Sequence, residues 1–305
     1  MIPLVYIGAV GRSGTTLIER ALASENHLVA LGEMVHFWER SVLGNEPCGC
    51  GVPIRACPTW TAIVTRAFGG WDYLDGETIR GWQRTADRNR YIPFLIWPRL
   101  GPKDFRVSLD LFTAHLARLY GAIATEVGID KVLVDSSKHP SYLFLLRHVA
   151  GVDVRLLHVV RDPRGVANSW AKVVPRSEVD GTQDMERLGP WHAGCRWTSH
   201  HLLFMLAGFR HRSSRLVYER FTNRPDELSD QVDALVTADT GVRAPRWPQP
   251  HVSLSTDHTV SGNPVRFASG SVTIRTDDSW RRTMGRSPKA IVELLTLPLR
   301  MVLCR

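Results

Sequence analysis

The chain is short of several things, and each shortage narrows what it can be. No apolar run approaches the length of a membrane span, and no basic leader followed by an apolar stretch opens the chain. Those two absences predict a soluble, cytoplasmic protein without an integral membrane segment. Low-complexity tracts and internal repeats are also missing, which sets aside linkers, solenoids and disordered tails. Cysteine is scarce and odd in number: Cys48, Cys50, Cys57, Cys195 and Cys304 make a poor disulfide framework. Lysine is rarer than its charge class suggests, with Lys103, Lys131, Lys138, Lys172 and Lys289 the only five among 38 basic residues. The charge is therefore carried by arginine, with a formal net of +8 and a pI near 9.6. Such a balance suits a polyanionic ligand. The basic residues are scattered, not gathered in a run with interleaved aromatics, so no nucleic-acid partner is expected.

What is present begins at the first strand. The apolar run Leu4 to Ile7 reads as a buried β-strand, and Thr15 to Ala23 as a helix, with Leu17, Ala21 and Leu22 on one side. Between them lies Gly8-Ala9-Val10-Gly11-Arg12-Ser13-Gly14. Strand, glycine loop and helix N-terminus together form an anion cradle, where free N–H groups converge and the helix dipole favours negative charge. Gly11 and Gly14 permit close backbone approach, Arg12 can give paired hydrogen bonds, and Ser13, Thr15 and Thr16 add hydroxyls. The loop does not fit G-x-x-x-x-G-K-[ST]: no lysine follows Gly14, and Ala9 stands where the first glycine belongs.

Three further strand ends carry polar residues, the edge at which open α/β sheets place functional groups. His27 to Leu31 predicts a second strand ending at Gly32-Glu33, with Met34 to Val42 helical after it. Val132 to Val134 predicts a third, followed by Asp135-Ser136-Ser137-Lys138, with Pro140 in the first turn of a helix to Val149. Val154 to Val160 predicts a fourth, followed by Arg161-Asp162-Pro163, where Pro163 suits the first helical position and Asp162 the N-cap. Leu216 to Tyr218 is a fifth. Helices are expected over 112–127, 189–210 (with Trp191, Cys195 and Trp197 in the core) and 225–237. An apolar terminal helix over 291–302, interrupted by Pro298, would dock on the core or touch a membrane surface.

The Arg-Ser-Gly-Thr-Thr loop resembles the 5′-phosphosulfate loop of sulfotransferases that use 3′-phosphoadenosine 5′-phosphosulfate (PAPS). Arg161 with Ser169 eight residues on is similar to their 3′-phosphate element, and Asp-Ser-Ser-Lys to the element whose lysine contacts the sulfonyl group and leaving phosphate. Glu33, 21 residues after Arg12, resembles the catalytic base of the tyrosylprotein members. Tyr218 is similar to their adenine-contacting tyrosine, and Gly262-Asn263-Pro264 with Arg266 to the loop that closes over the nucleotide in many bacterial members.

The resemblance implies a single α/β domain over 1–305: a P-loop-like three-layer sandwich with a parallel sheet of about five strands. It would carry an aromatic-rich helical insertion at about 58–127 and a lid loop at about 244–285. It implies transfer of sulfonate from PAPS to a hydroxyl acceptor (carbohydrate, lipid or small metabolite). Glu33, Arg12 and Lys138 would be catalytic, and Gly11, Arg12, Ser13, Gly14, Thr15, Thr16, Arg161, Ser169, Tyr218, Gly262, Asn263 and Arg266 would bind the donor. No metal would be required. The alternatives are a small-molecule kinase with a degenerate P-loop and a nucleotide-binding protein without catalysis. Aromatics at 58–127 serve equally as acceptor wall or core. C-x-C-x6-C over Cys48, Cys50 and Cys57 resembles part of a metal site, with His36 imaginable as a fourth ligand, but a loop of reduced cysteines or one local disulfide is the plainer expectation.

Overall fold

The computed structural model describes residues 1–25, 27–173, 186–247 and 250–304. Five strands form one parallel sheet in the order β2-β3-β1-β4-β5: β1 (Ile2–Gly8), β2 (Leu28–Gly32), β3 (Val132–Asp135), β4 (Val152–Val160) and β5 (Ser213–Val217). β1 is central, with Leu4 opposite Leu133 on one side and Val154 on the other. Its side chains alternate by face, Leu4 and Tyr6 entering one core while Val5 and Ile7 enter another. Both faces are thus covered, as a parallel sheet requires.

The helices follow in chain order: α1 (Thr15–Leu22), α2 (Pro58–Phe68), α3 (Gly76–Ala86), α4 (Ile92–Ile96), α5 (Lys103–Val127), α6 (Pro140–Leu146), α7 (Pro163–Ala171), α8 (Pro190–Gly208), α9 (Tyr218–Asn223), α10 (Asp226–Thr240), α11 (Trp280–Thr283) and α12 (Arg286–Leu303). α1, α9 and α10 pack on the Val5/Ile7 face, and α2 to α6 with Phe204 of α8 pack on the other. The expected three-layer α/β sandwich is what the chain adopts.

Four local readings differ. α5 starts nine residues before Phe112, because Phe105 and Leu109 extend the buried stripe of Phe112, Leu116, Leu119 and Ile123. Residues 34–42 form a 3-10 turn (Met34–His36) and a π-helical turn (Phe37–Leu43) in place of an α-helix. The stretch read as loop contains two antiparallel strands, β6 (His251–Leu254) and β7 (Gly270–Thr273), whose Val252 and Leu254 add to the core. In α8 only Trp197 of the three expected core residues is buried, whereas Trp191 and Cys195 are exposed. α12 docks on α8, where Thr198 Oγ1 donates to the Leu295 carbonyl.

Between β6 and β7 the chain forms a strap across the carboxyl edge of the sheet. Val260 bridges to Gly32, its N–H donating to the Leu31 carbonyl at 2.8 Å and its carbonyl accepting from Glu33 N–H at 2.8 Å. Arg20, almost wholly buried in α1, holds the strap from beneath. Its guanidinium donates to Asp257 Oδ2 (2.7 Å) and to the carbonyls of Ser255 (2.6 Å), Val265 (2.8 Å) and Ala268 (2.6 Å).

Replacing Arg20 with methionine keeps the stem's volume and leaves these acceptors without their donor. Urea denaturation should show a loss of about 3–5 kcal/mol, the range for breaking a buried charged pair. Limited proteolysis should cut first within 255–268. An unchanged midpoint would show that the strap holds itself.

Candidate functional site

The β1–α1 loop is built around two left-handed residues, Gly14 (φ 78°) and Arg12 (φ 71°). A Cβ on Gly14 would sit 2.5 Å from the Tyr218 ring, so only glycine fits there. The β4–α7 element grips this loop through its backbone. Arg161 Nη1 donates to the Arg12 carbonyl (2.8 Å) and Trp170 Nε1 to the Gly11 carbonyl (3.0 Å). Asp162 caps α7 by accepting from Arg164 N–H, and Trp197 Nε1 fixes the Arg161 carbonyl at 3.0 Å. The two sequence-predicted anion elements are therefore one structural unit.

On the opposite side, Glu33 closes β2 and Lys138 follows β3. Lys138 Nζ meets Glu33 Oε1 at 2.5 Å, and His36 Nε2 lies 3.6 Å from Glu33 Oε2. Burial, aided by the Arg40 charge, holds His36 well below its ordinary pKa, so it is neutral and Lys138 is the charged partner of Glu33. Lys138 is itself left-handed, at φ 64°. That conformation, costly for a side-chain-bearing residue, is imposed from below. Asp135 accepts from Ser137 N–H and Oγ and from Tyr120 OH (2.9 Å). Ser137 Oγ accepts from Val35 N–H (2.9 Å), and Tyr6 OH bonds both backbone groups of His139.

One residue that sequence reading passed over ties the two strand ends together. Glu19, buried in α1, accepts from Gly32 N–H at 2.7 Å and from Ser136 Oγ at 2.6 Å. Each of these donors lies within two residues of a predicted catalytic group. Its signal was legible as a glutamate beside the buried face of a short helix, between Ile18 and Ala21.

These elements enclose a cavity of about 880 Å³. Gly11, Arg12, Gly14, Thr15, Thr16, Glu33, Lys138, Arg161, Ser169 and Asn263 line it. Trp170, which was not anticipated, joins them, with the Arg12 guanidinium 5.6 Å from its ring centre. The remaining wall mixes polar side chains, His36, Arg40, Asn89, Ser137, His139, Glu186, Arg196 and His200, with the apolar Leu17, Pro140, Val265 and Val272.

Four predicted residues stand apart from that wall. Ser13 is buried, with no partner for its Oγ among the described residues. Tyr218 packs against Gly14 and is covered by Arg161, whose guanidinium lies 4.7 Å from the ring centre, so that face is already taken. Gly262 comes near Glu33: a Cβ there would lie 3.4 Å from Oε1. Arg266 is buried and turned away, donating to the carbonyls of Thr259 (3.1 Å) and Pro47 (2.8 Å); its job here is to hold the strap. Most of the aromatics at 58–127 face the core, whereas Tyr73 and Trp97 are exposed. Trp60 is fully buried, Phe68, Trp71, Trp82, Tyr91 and Phe94 pack partly buried around it, and Asn89 alone from that segment reaches the cavity.

No family model matches the chain, and no curated protein matches it. Among solved structures, a sulfotransferase domain from the curacin biosynthetic pathway is similar over 98% of this chain and 98% of its own, with TM-score 0.54 and 16% identity. A sulfotransferase domain from the Synechococcus PCC 7002 olefin synthase is 18% identical, with coverage of 97% and 94% and TM-score 0.45. The first likeness establishes that this chain shares the fold of a sulfotransferase domain.

Burial raises the Glu19 carboxyl from 4.5 to about 8, against the lowering effect of the hydrogen bonds from Ser136 and Gly32. The fold thus favours neutral Glu19. Its contribution is complete below pH 4.5 and drains away as pH rises through 8. Glu19→Gln keeps both contacts, with its amide donating to Ser136 Oγ. It should remove up to about 5 kcal/mol of pH-dependent loss, the limit set by 1.36 kcal/mol per pKa unit. Urea midpoints of both proteins from pH 5 to 9, taken at about one-unit steps, test this; parallel curves would place the titration elsewhere.

Proposed function

We propose that the protein is a sulfotransferase that moves sulfonate from PAPS to a hydroxyl acceptor. The observation that carries this reading is the joining of two anion elements in one cavity with a carboxylate–lysine pair at its edge. Arg12, Thr15 and Thr16 offer donors at one helix N-terminus, and Arg161 and Ser169 offer a second set. Two separated sets suit a nucleotide with phosphates on both its 5′ and 3′ positions.

The donor supplies an activated sulfonate on a 5′-phosphate. Glu33 accepts the acceptor's hydroxyl proton as the oxygen attacks sulfur, and the sulfur–phosphate oxygen bond breaks in line. Lys138, Arg12 and the loop N–H groups stabilise the charge that gathers on the leaving phosphate, a role comparable to an oxyanion hole. The products are a sulfate ester, adenosine 3′,5′-bisphosphate and the proton on Glu33. The far wall, with Arg40, Asn89, Arg196 and three histidines beside Leu17, Pro140, Val265 and Val272, offers an acceptor both hydrogen-bonding groups and apolar surface.

Arg161 Nη2 is paired with Asp277 Oδ2 at 3.1 Å. Burial works against that carboxylate, but hydrogen bonds from Ser279 and the Arg161 charge outweigh it and lower it to about 2. Asp277 is therefore ionised at every working pH and competes with a phosphate for Arg161.

Calorimetric titration with adenosine 3′,5′-bisphosphate and with ATP-Mg separates the readings. The bisphosphate should bind more tightly. Arg161→Ala should weaken it by about 1.5–3 kcal/mol, the range for a charged hydrogen bond, and Asp277→Ala should tighten it several-fold. Glu33→Gln should retain binding while turnover falls about 10²–10⁴-fold, the usual share of general-base catalysis. Preference for ATP-Mg, indifferent to Arg161, would favour a kinase instead.

A further inference from the structure

The cysteine loop finds a partner that its own sequence neighbourhood does not contain. Cys48 and Cys50 lie in a tight turn closed by Cys48 N–H to the Val52 carbonyl (2.8 Å) and Gly51 N–H to the Cys48 carbonyl (2.8 Å). Cys57 immediately precedes α2. Against all three stands His258 of the strap, 201 residues further along the chain than Cys57. His36, the earlier candidate, faces Glu33 and His139 instead.

The spacing among the four ligand atoms is informative. Cys50 Sγ and Cys57 Sγ are 3.8 Å apart, and His258 Nδ1 lies 3.3 Å from Cys57 Sγ and 3.7 Å from Cys48 Sγ. All four donor atoms fall within 4.8 Å of one another. Tetrahedral zinc, with bonds of about 2.3 Å to sulfur and 2.0–2.1 Å to nitrogen, requires S–S edges of about 3.8 Å and S–N edges of about 3.5 Å. A disulfide would instead draw one pair to about 2.05 Å and leave the third thiol and the imidazole without a role.

We propose that Cys48, Cys50, Cys57 and His258 bind one zinc ion through three thiolates and Nδ1. The three thiol protons are released to solvent as the metal enters. Four protein ligands close the coordination sphere, so the site is structural and leaves no position for substrate. Three thiolates and a divalent cation leave one net negative charge. Arg266 supplies a buried positive charge beside it, bonded to the carbonyls of Pro47 and Thr259, which adjoin Cys48 and His258.

The ion would staple the strap to the helical layer. Around it, Gly49 N–H donates to the Thr259 carbonyl (2.9 Å) and Trp60 Nε1 to the His258 carbonyl (2.7 Å). Two residues past His258, the Val260 carbonyl receives Glu33 N–H. The metal therefore secures the segment that backs the candidate base.

The test is independent of any transferase assay. Full-length protein, purified without metal-affinity steps under reducing conditions, should carry about one zinc per chain by mass spectrometry. Refolding or exchange with cobalt should give thiolate-to-cobalt charge-transfer bands and the intense visible bands of a tetrahedral ion. Cys57→Ser should abolish both signatures. Should that variant fail to fold, His258→Asn, at a surface-exposed position, should lower zinc affinity at least about tenfold and shift the cobalt bands. A chelator strong enough to strip zinc should lower Tm, and added zinc should restore it. Substoichiometric metal with no cobalt–thiolate bands would overturn the proposal, as would a disulfide between any two of these cysteines. Unchanged zinc affinity and spectrum in His258→Asn would overturn the ligand set.

Discussion

Two adjacent buried ionisable side chains on one short helix set the geometry of the whole carboxyl edge. Glu19 reaches toward the sheet and ties the ends of β2 and β3, while Arg20 reaches the other way and binds the strap. They do not neutralise one another; each is matched by polar groups from distant parts of the chain. Burying ionisable groups this deeply is expensive unless their hydrogen bonds are filled. The full complement of partners around each is what makes the arrangement tolerable. Because α1 also follows the glycine loop, that loop, the Glu33–Lys138 edge and the strap share one mount.

Backbone strain gathers around the same cavity. Among the described residues four non-glycine positions have positive φ; Arg12 and Lys138 line the cavity, and Ser261 is bonded to Arg40 of its wall. Each costs on the order of 1–3 kcal/mol and persists only where the surroundings over-determine it. Those surroundings are visible: the Arg161 bond to the Arg12 carbonyl, the Asp135–Ser137 and Tyr6–His139 contacts under Lys138, and Arg40 on Ser261 Oγ at 2.8 Å. The strained residues are two cations of the cavity wall and one residue of the strap, each held by these contacts.

The strand-end motifs were legible because strand, glycine turn and helix cap are local rules, and each reads within ten residues. Pro163 and Asp162 found their positions on those rules alone. What failed to show was non-local. β6 and β7 are each four residues long and pair across the strap, so no window of periodicity reveals them. Arg266 looked like a ligand contact because arginine beside Gly-Asn-Pro has the right chemistry; only the fold shows the carbonyls that it serves instead. His258 could not be matched to Cys57 across 201 residues by spacing. Glu19 left only a local signal, its place beside the buried face of a short helix, where an acidic residue ordinarily points to solvent.

The charge inventory of the cavity bears on the choice between phosphoryl and sulfonyl chemistry. Among the described residues its wall holds five cationic side chains, Arg12, Arg40, Lys138, Arg161 and Arg196, against two carboxylates, Glu33 and Glu186. Phosphoryl transfer from a nucleoside triphosphate commonly relies on magnesium held by an aspartate or asparagine and a loop hydroxyl, with lysine on the terminal phosphates. Here Glu33 is held by Lys138, and the lysine that would follow Gly14 is a threonine. The cations that line the cavity are mainly arginine. Guanidinium groups remain charged when half-buried and bind oxyanions in pairs, whereas ammonium groups yield their proton more readily. Lys138, the lysine of this wall among the described residues, stands against Glu33, where its compact ammonium makes a single short contact.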